Sequence, residues 1–217
     1  LWEVEDPSPF GIVGLSTSTD GVVDGELREG FIRKFKEKPT PEEAFSNVIN
    51  AGLYILEPEV MALVPEGEKY DFSKNLFPRL LEMGWPMYAK AINGVWFDVG
   101  SPNELIRAQH VLIEQRNSLP FPMPDGSVDG TGSFVSNTAH LGSKVELHKS
   151  IVASDCSVGS ESSLHETVLM QGASVGLNVS LSGCILSPGA IVEDNISASN
   201  LVLGDDECLK SDDNRIL

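Results

Sequence analysis

The sequence predicts a mixed α/β segment followed by an all-β stack of short parallel coils. Three observations carry that reading. Residues 1 to about 117 alternate short apolar runs with turn residues and three helix-start signals. Pro120, Pro122, Pro124, Gly126 and Gly130 then mark residues 118–130 as an ordered, non-helical connector. From about Thr131 the chain repeats itself every 17 residues.

Whole-chain properties narrow the functional classes. A chain of 217 residues has room for one large domain or two small ones. A hydrophobic content of 41% excludes wholesale disorder. The formal charge of −17 leaves no basic surface long enough to track phosphates, which excludes a nucleic-acid partner. Cys156, Cys184 and Cys208 stand in no metal-ligand spacing, so they read as free thiols of a reducing, cytoplasmic compartment. No apolar run approaches the ~20 residues of a membrane span, and no signal peptide is visible. The chain opens at Leu1 as if inside a strand, and it reads as a fragment.

In order along the chain, the turn Asp6-Pro-Ser-Pro9 precedes an apolar strand, Phe10–Leu15. Residues 16–30 are polar and glycine-bearing, a hairpin or exposed loop. Phe31–Phe35 alternates apolar and basic residues as a strand closed by Glu37-Lys38-Pro39. Thr40-Pro41-Glu42-Glu43 signals at most a short helix. Val48–Leu56 reads as a strand interrupted by Asn50-Ala51-Gly52, and a strand glycine often marks close approach of a ligand or another backbone. Glu59–Val64 makes a helical turn or two. Asp71 caps a helix toward Met83, with Gly84 beyond its end and Pro78 as an interruption. Trp85–Ile92 is a further strand.

The stretch Gly94–Gln109 places an acid, Asp98, after a short apolar strand and just before a helix start. Ser101, Pro102 and Glu104 form an S-x-x-E cap, and Leu105, Ala108, Leu112 and Ile113 follow at helical spacing to about Asn117. An acid fixed between a strand end and a capped helix sits where α/β folds present ligands. Its alternative role is to tie down the turn.

Five motifs occur in one order: Asp6-Pro-Ser-Pro-Phe-Gly-Ile-Val, Phe35-Lys-Glu-Lys-Pro, Ile49-Asn-Ala-Gly-Leu-Tyr, Asp71-Phe-Ser-Lys-Asn-Leu-Phe-Pro and Trp96-Phe-Asp-Val-Gly-Ser-Pro. Together they resemble the second half of the sugar-phosphate nucleotidyltransferases, and most closely those that act on mannose 1-phosphate and GTP. Glucose with UTP or dTTP stays open. The resemblance implies a partial Rossmann-like catalytic domain over residues 1–117. Its substrates would be a sugar 1-phosphate and a nucleoside triphosphate, and pyrophosphate would leave. Two polyanions must meet in such a site, so it needs cations and fixed donors more than a covalent nucleophile. Carried over by resemblance, Asp98 holds Mg²⁺ between the phosphates and Lys38 meets the sugar phosphate. Glu37 accepts from sugar hydroxyls, while Gly11, Asn50 and Gly52 offer backbone or amide contacts to the ring.

Glu37 and Lys38 have a plainer reading as a solvated charge pair after a strand, and Asn50 with Gly52 as turn chemistry. The family's glycine-rich loop, G-x-G-T-R-L-x-P, and its second metal-binding aspartate do not occur in this sequence. The expectation is therefore a polypeptide that holds the sugar side of the site and lacks the base side.

The repeat sets Ser133-Phe-Val, Ser150-Ile-Val, Thr167-Val-Leu, Cys184-Ile-Leu and Leu201-Val-Leu in register. Ala139, Cys156, Ala173 and Ala190 form a small column. Leu141, Val158, Val175 and Val192 form an aliphatic one, as do Leu147, Leu164, Leu181 and Ala198. Spacings of six, six and five describe three flat faces per coil with one shortened corner, and coils this short must stack on their neighbours. The pattern resembles the hexapeptide-repeat left-handed β-helix over 131–217, its hand taken from the resemblance because parallel crossovers are normally right-handed. The acidic stretch 205–213 is expected to cap the open end. Self-association through the β-helix is expected from the same resemblance. Two other functions remain: an acyltransferase, for which His140, His148 and His165 would supply a base, and a non-catalytic oligomerising or sensing partner.

Overall fold

In a computed structural model, residues 1–210 are described. Packing separates two units, Leu1–Trp96 and the chain from Phe97 onward. The first unit is built on a five-stranded sheet in the order β1 (Trp2–Glu3), β4 (Val48–Ile49), β2 (Gly11–Ser16), β3 (Glu29–Glu37), β5 (Tyr88–Lys90). Every pairing in it is antiparallel. All six residues of β2 are buried, as its unbroken apolar run requires of a central strand. Two short helices, α1 (Pro58–Met61) and α2 (Phe77–Glu82), bring Val60, Phe77 and Leu80, with Leu76 just before α2, into one cluster with Phe35 of β3.

Several sequence-predicted elements are shorter than expected. The strands expected over 48–56 and 85–92 reduce to Val48–Ile49 and Tyr88–Lys90. Thr40–Glu43 forms a turn closed by Glu43 accepting from the Thr40 N–H, not a helix. Asp71 does cap a helical segment, its carboxylate accepting from the Lys74 N–H at 2.9 Å. Phe72–Leu76 is wound as a π-helix before α2 begins. Pro78 explains this: its ring would collide with the Lys74 carbonyl in a regular α-turn, and widening the turn relieves the clash. No strand forms over 94–97; Gly94 turns with φ +103° and the Trp96 indole N–H donates to the Ala51 carbonyl.

The second unit begins at Phe97, and Asp98 and helix α3 (Pro102–Glu114) follow. Ser101 caps it through the Glu104 N–H at 3.3 Å, as the S-x-x-E pattern predicts. It ends three residues before Asn117, because a turn closes there with the Ser118 N–H donating to the Gln115 carbonyl. Ile106 packs on Val168 and Ile185, so the helix covers one face of the repeat. Part of the predicted connector is itself a strand, β6 (Gly126–Val128), paired antiparallel with β7 (Phe134–Ser136). A side chain at Gly126 would sit 2.5 Å from the Phe134 ring and the Val135 carbonyl, so only glycine lets the two strands meet.

From β7 the chain is a parallel β-helix of four three-sided coils and the first two strands of a fifth. The register is the one the repeat predicts: Leu141, Val158, Val175 and Val192 align, as do Leu147, Leu164, Leu181 and Ala198. Left-handed residues turn each corner: Lys149, Asp155 and Glu161 in one coil, Glu166, Gly172 and Asn178 in the next. Their six, six, five spacing locates the short side on the strand Ser163–His165. The stretch expected to cap the open end instead continues the stack, since Cys208–Leu209 pair in parallel with Ile191–Val192. Its residues 211–213 lie outside the described ones.

The interior is not purely apolar. Ser133, Ser150 and Thr167 are fully buried in one column, and each hydroxyl accepts from the backbone N–H one coil on, at Ser150, Thr167 and Cys184. Ser150 and Thr167 also donate to the His148 and His165 carbonyls, so their hydroxyls are satisfied inside the stack.

Candidate functional site

Three adjacent strands of the first unit bring together five of the sequence-predicted residues. Gly11 opens β2 and lies opposite Glu37, the last residue of β3. The Asn50 N–H, just past β4, donates to the Gly11 carbonyl at 2.8 Å. The Lys38 N–H donates to the Phe10 carbonyl, also at 2.8 Å. A Cβ at position 11 would stand 2.7 Å from a Glu37 carboxylate oxygen and 2.7 Å from the Phe35 ring. The glycine is thus the gap through which the carboxylate approaches the backbone. Lys38 has φ +47°, a left-handed conformation directly before Pro39, where the preceding residue prefers extended backbone. Its side chain is exposed.

Asn50 is held from three sides. Its side-chain oxygen accepts from the Gly52 N–H at 3.1 Å and the Tyr54 hydroxyl at 2.8 Å. Its amide donates to Ser73 Oγ at 3.1 Å. One of the two amide hydrogens is therefore committed to Ser73. Gly52 takes φ +75° with open space around it, which lets the loop fold back onto Asn50. Burial pushes the Tyr54 phenol above its ordinary range; the bond to Asn50 opposes this, while the Asp71 and Glu37 carboxylates add to it. Tyr54 is thus a neutral donor at physiological pH. The sequence motifs Ile49–Tyr54 and Asp71–Pro78 contain Tyr54 and Ser73 without singling either out.

Behind this loop, Trp96 bonds Ala51 at 3.1 Å, stacks on Trp2 and meets the edge of Phe10. The Trp96 motif therefore buttresses the Asn50 segment. Asp98 belongs to the second unit. It is exposed, and its carbonyl accepts from the Gly100 N–H at 2.8 Å. No group of three or more histidine, cysteine, aspartate or glutamate side chains able to hold a metal occurs among the described residues. Asp98 offers one hard oxygen donor, which fits Mg²⁺ only where substrate phosphates and water complete the shell.

A model of the nucleotidyl transferase family matches residues 1–115, more than half of the sequence. The chain belongs to the nucleotidyl transferase family. A second match, to a GlmU-like C-terminal hexapeptide domain, covers residues 125–211. Among the chain's relatives, UTP–glucose-1-phosphate uridylyltransferase of Synechocystis is 40% identical over 43% of the chain and 24% of its own length. Mannose-1-phosphate guanyltransferase of Saccharomyces cerevisiae is 36% identical over 48% of the chain and 25% of its own length. Glucose-1-phosphate adenylyltransferase of Clostridium novyi is 33% identical over 54% and 28%. The chain spans about a quarter of the length of these curated relatives. Among the described residues no helix is long and apolar enough to cross a membrane.

Proposed function

We propose that this nucleotidyl transferase chain provides the sugar-phosphate side of a site that joins a sugar 1-phosphate to a nucleoside monophosphate unit and releases pyrophosphate. The observation that carries this reading is the convergence of Gly11, Glu37 and Asn50 at one end of three paired strands. A hexose needs acceptors and donors at fixed positions, and here a carboxylate, a carbonyl-bearing glycine and a pre-set amide stand side by side. Lys38 supplies the ammonium for the phosphate, and the exposed stem leaves that charge free to reach it. Glu37 accepts from sugar hydroxyls and the remaining amide hydrogen of Asn50 donates to one.

Within the same proposal, Asp98 would be the residue that holds Mg²⁺, and such an ion would supply charge neutralisation for the phosphates. The motifs favour mannose 1-phosphate and GTP over the glucose substrates named for other relatives. The three thiols of the sequence favour work in the cytoplasm, and the β-helix offers flat faces for self-association.

Calorimetry on the chain tests the reading. A sugar 1-phosphate should bind, Lys38→Ala and Glu37→Gln should each weaken it about tenfold or more, and nucleotides should show no base preference. Mannose 1-phosphate should outcompete glucose 1-phosphate. Tight, base-selective triphosphate binding would contradict the assignment of sides. In an enzyme completed with a nucleotide-binding half, Asp98→Asn should lower turnover by about two orders of magnitude or more with the fold intact.

A further inference from the structure

His148 and His165 occupy the same position on neighbouring coils and are paired in register across parallel strands. Their rings lie face to face, with centroids 4.6 Å apart and planes within 3°. Both side chains point outward and are exposed. Glu146 emerges on the same face two residues before His148, the intervening Leu147 facing in. The other two histidines of the chain are placed elsewhere: His110 bonds the Lys149 carbonyl from helix α3, and His140 lies on a different face of the coil. The pair plays no part in the proposed reaction.

We propose that His148 and His165 form a two-imidazole chelate for a borderline transition-metal ion such as Zn²⁺ or Cu²⁺. Imidazole nitrogen suits these ions, and water would complete the shell. A tetrahedral ion with Zn–N bonds of 2.0–2.1 Å needs its two nitrogens about 3.3 Å apart. Parallel rings 4.6 Å apart at their centres reach that separation by tilting about their side-chain bonds, which exposure leaves free. The backbone needs no change, because the ladder already fixes the two residues one coil apart. Preorganisation of this kind is what lets a pair bind where a single surface histidine does not.

The test is Zn²⁺ titration of the full chain by calorimetry at pH 7.5, with Mg²⁺ in excess to occupy the acidic surface. One Zn²⁺ per chain should bind; His148→Asn and His165→Asn should each weaken it at least tenfold, and the double variant should be little worse than either. His140→Asn should leave the affinity unchanged. Cu²⁺ bound to the same chain should show nitrogen hyperfine structure from two imidazoles, and Zn²⁺ affinity should fall steeply when the pH is lowered to about 5.5, since a ligating imidazole must be neutral. Unchanged far-ultraviolet circular dichroism separates lost ligation from lost folding in each variant. Affinity within twofold of the parent in either single variant, or displacement of Zn²⁺ by Mg²⁺, would overturn the proposal.

Discussion

The hydroxyl of Ser150 accepts from the N–H of Thr167 at 3.1 Å, one coil on, in a column with no exposure to water. The same hydroxyl lies 3.0 Å from both the His148 and Leu164 carbonyls. Ser150→Ala would leave the buried Thr167 N–H without a partner, at a cost of about 1–3 kcal/mol. Ser150→Thr should be close to neutral, since Thr167 makes the same bonds from the next coil. Urea unfolding of the chain and the two variants decides it; equal stability of Ser150→Ala and the parent would show that the ladder contributes nothing.

Val175 is buried between Val158 and Val192, its register neighbours on either side. Val175→Asp places an unpaired carboxylate in that column and should destabilise the β-helix by several kcal/mol. Ser160→Asp is the matched control at a corner. Two coils further on, Asp194 already accepts from the Leu177 N–H at 2.7 Å, as Ser160 Oγ does from the Ser143 N–H at 3.0 Å. An aspartate at 160 therefore has a bond to make and should be nearly neutral. Thermal melting that shows equal losses would mean the column does not face inward.

Asp129 folds the loop between β6 and β7 by accepting from the N–H groups of Thr131 and Ser133 and from the Thr131 hydroxyl. Desolvation raises its pKa, but these bonds outweigh it and hold the carboxyl below its ordinary value. A depressed folded-state pKa stabilises the protein above the unfolded value, near pH 4, and this contribution disappears as pH falls through the folded value. Asp129→Asn should therefore be less stable at pH 7, with the gap closing below about pH 4; the effect is modest because the side chain is exposed. Acid unfolding curves that stay parallel would contradict this.

Gly11→Ala is the sharpest probe of the sugar side. The added methyl would meet Glu37 and the Phe35 ring at 2.7 Å, so the carboxylate must swing away. Sugar 1-phosphate binding should drop about tenfold or more, and the variant should melt lower because Phe35 belongs to the unit's core. Undiminished binding would show that the Glu37–Gly11 approach has no part in recognition.

How far the sequence could be read differs between the two units, for a physical reason. In the β-helix each coil packs only on its neighbours, so one repeat length sets the register, and Val158, Val175 and Val192 align as their spacing demands. The buried serines were visible as a column, yet their hydrogen bonds run to backbone groups that only stacking supplies. In the first unit the ordered motifs pointed to Gly11, Glu37, Lys38 and Asn50, because motif order needs no knowledge of contacts. The role of Tyr54 and Ser73 in holding Asn50 was not legible, since it depends on side chains 4 and 23 residues away meeting one amide. The missing strand at 94–97 has the same origin: its apolar residues suit a strand, but Trp96 is claimed by the Ala51 carbonyl. Local pattern and repeat period determine which residues face inward; which polar groups meet across the chain is decided by tertiary packing, where every buried donor must find an acceptor.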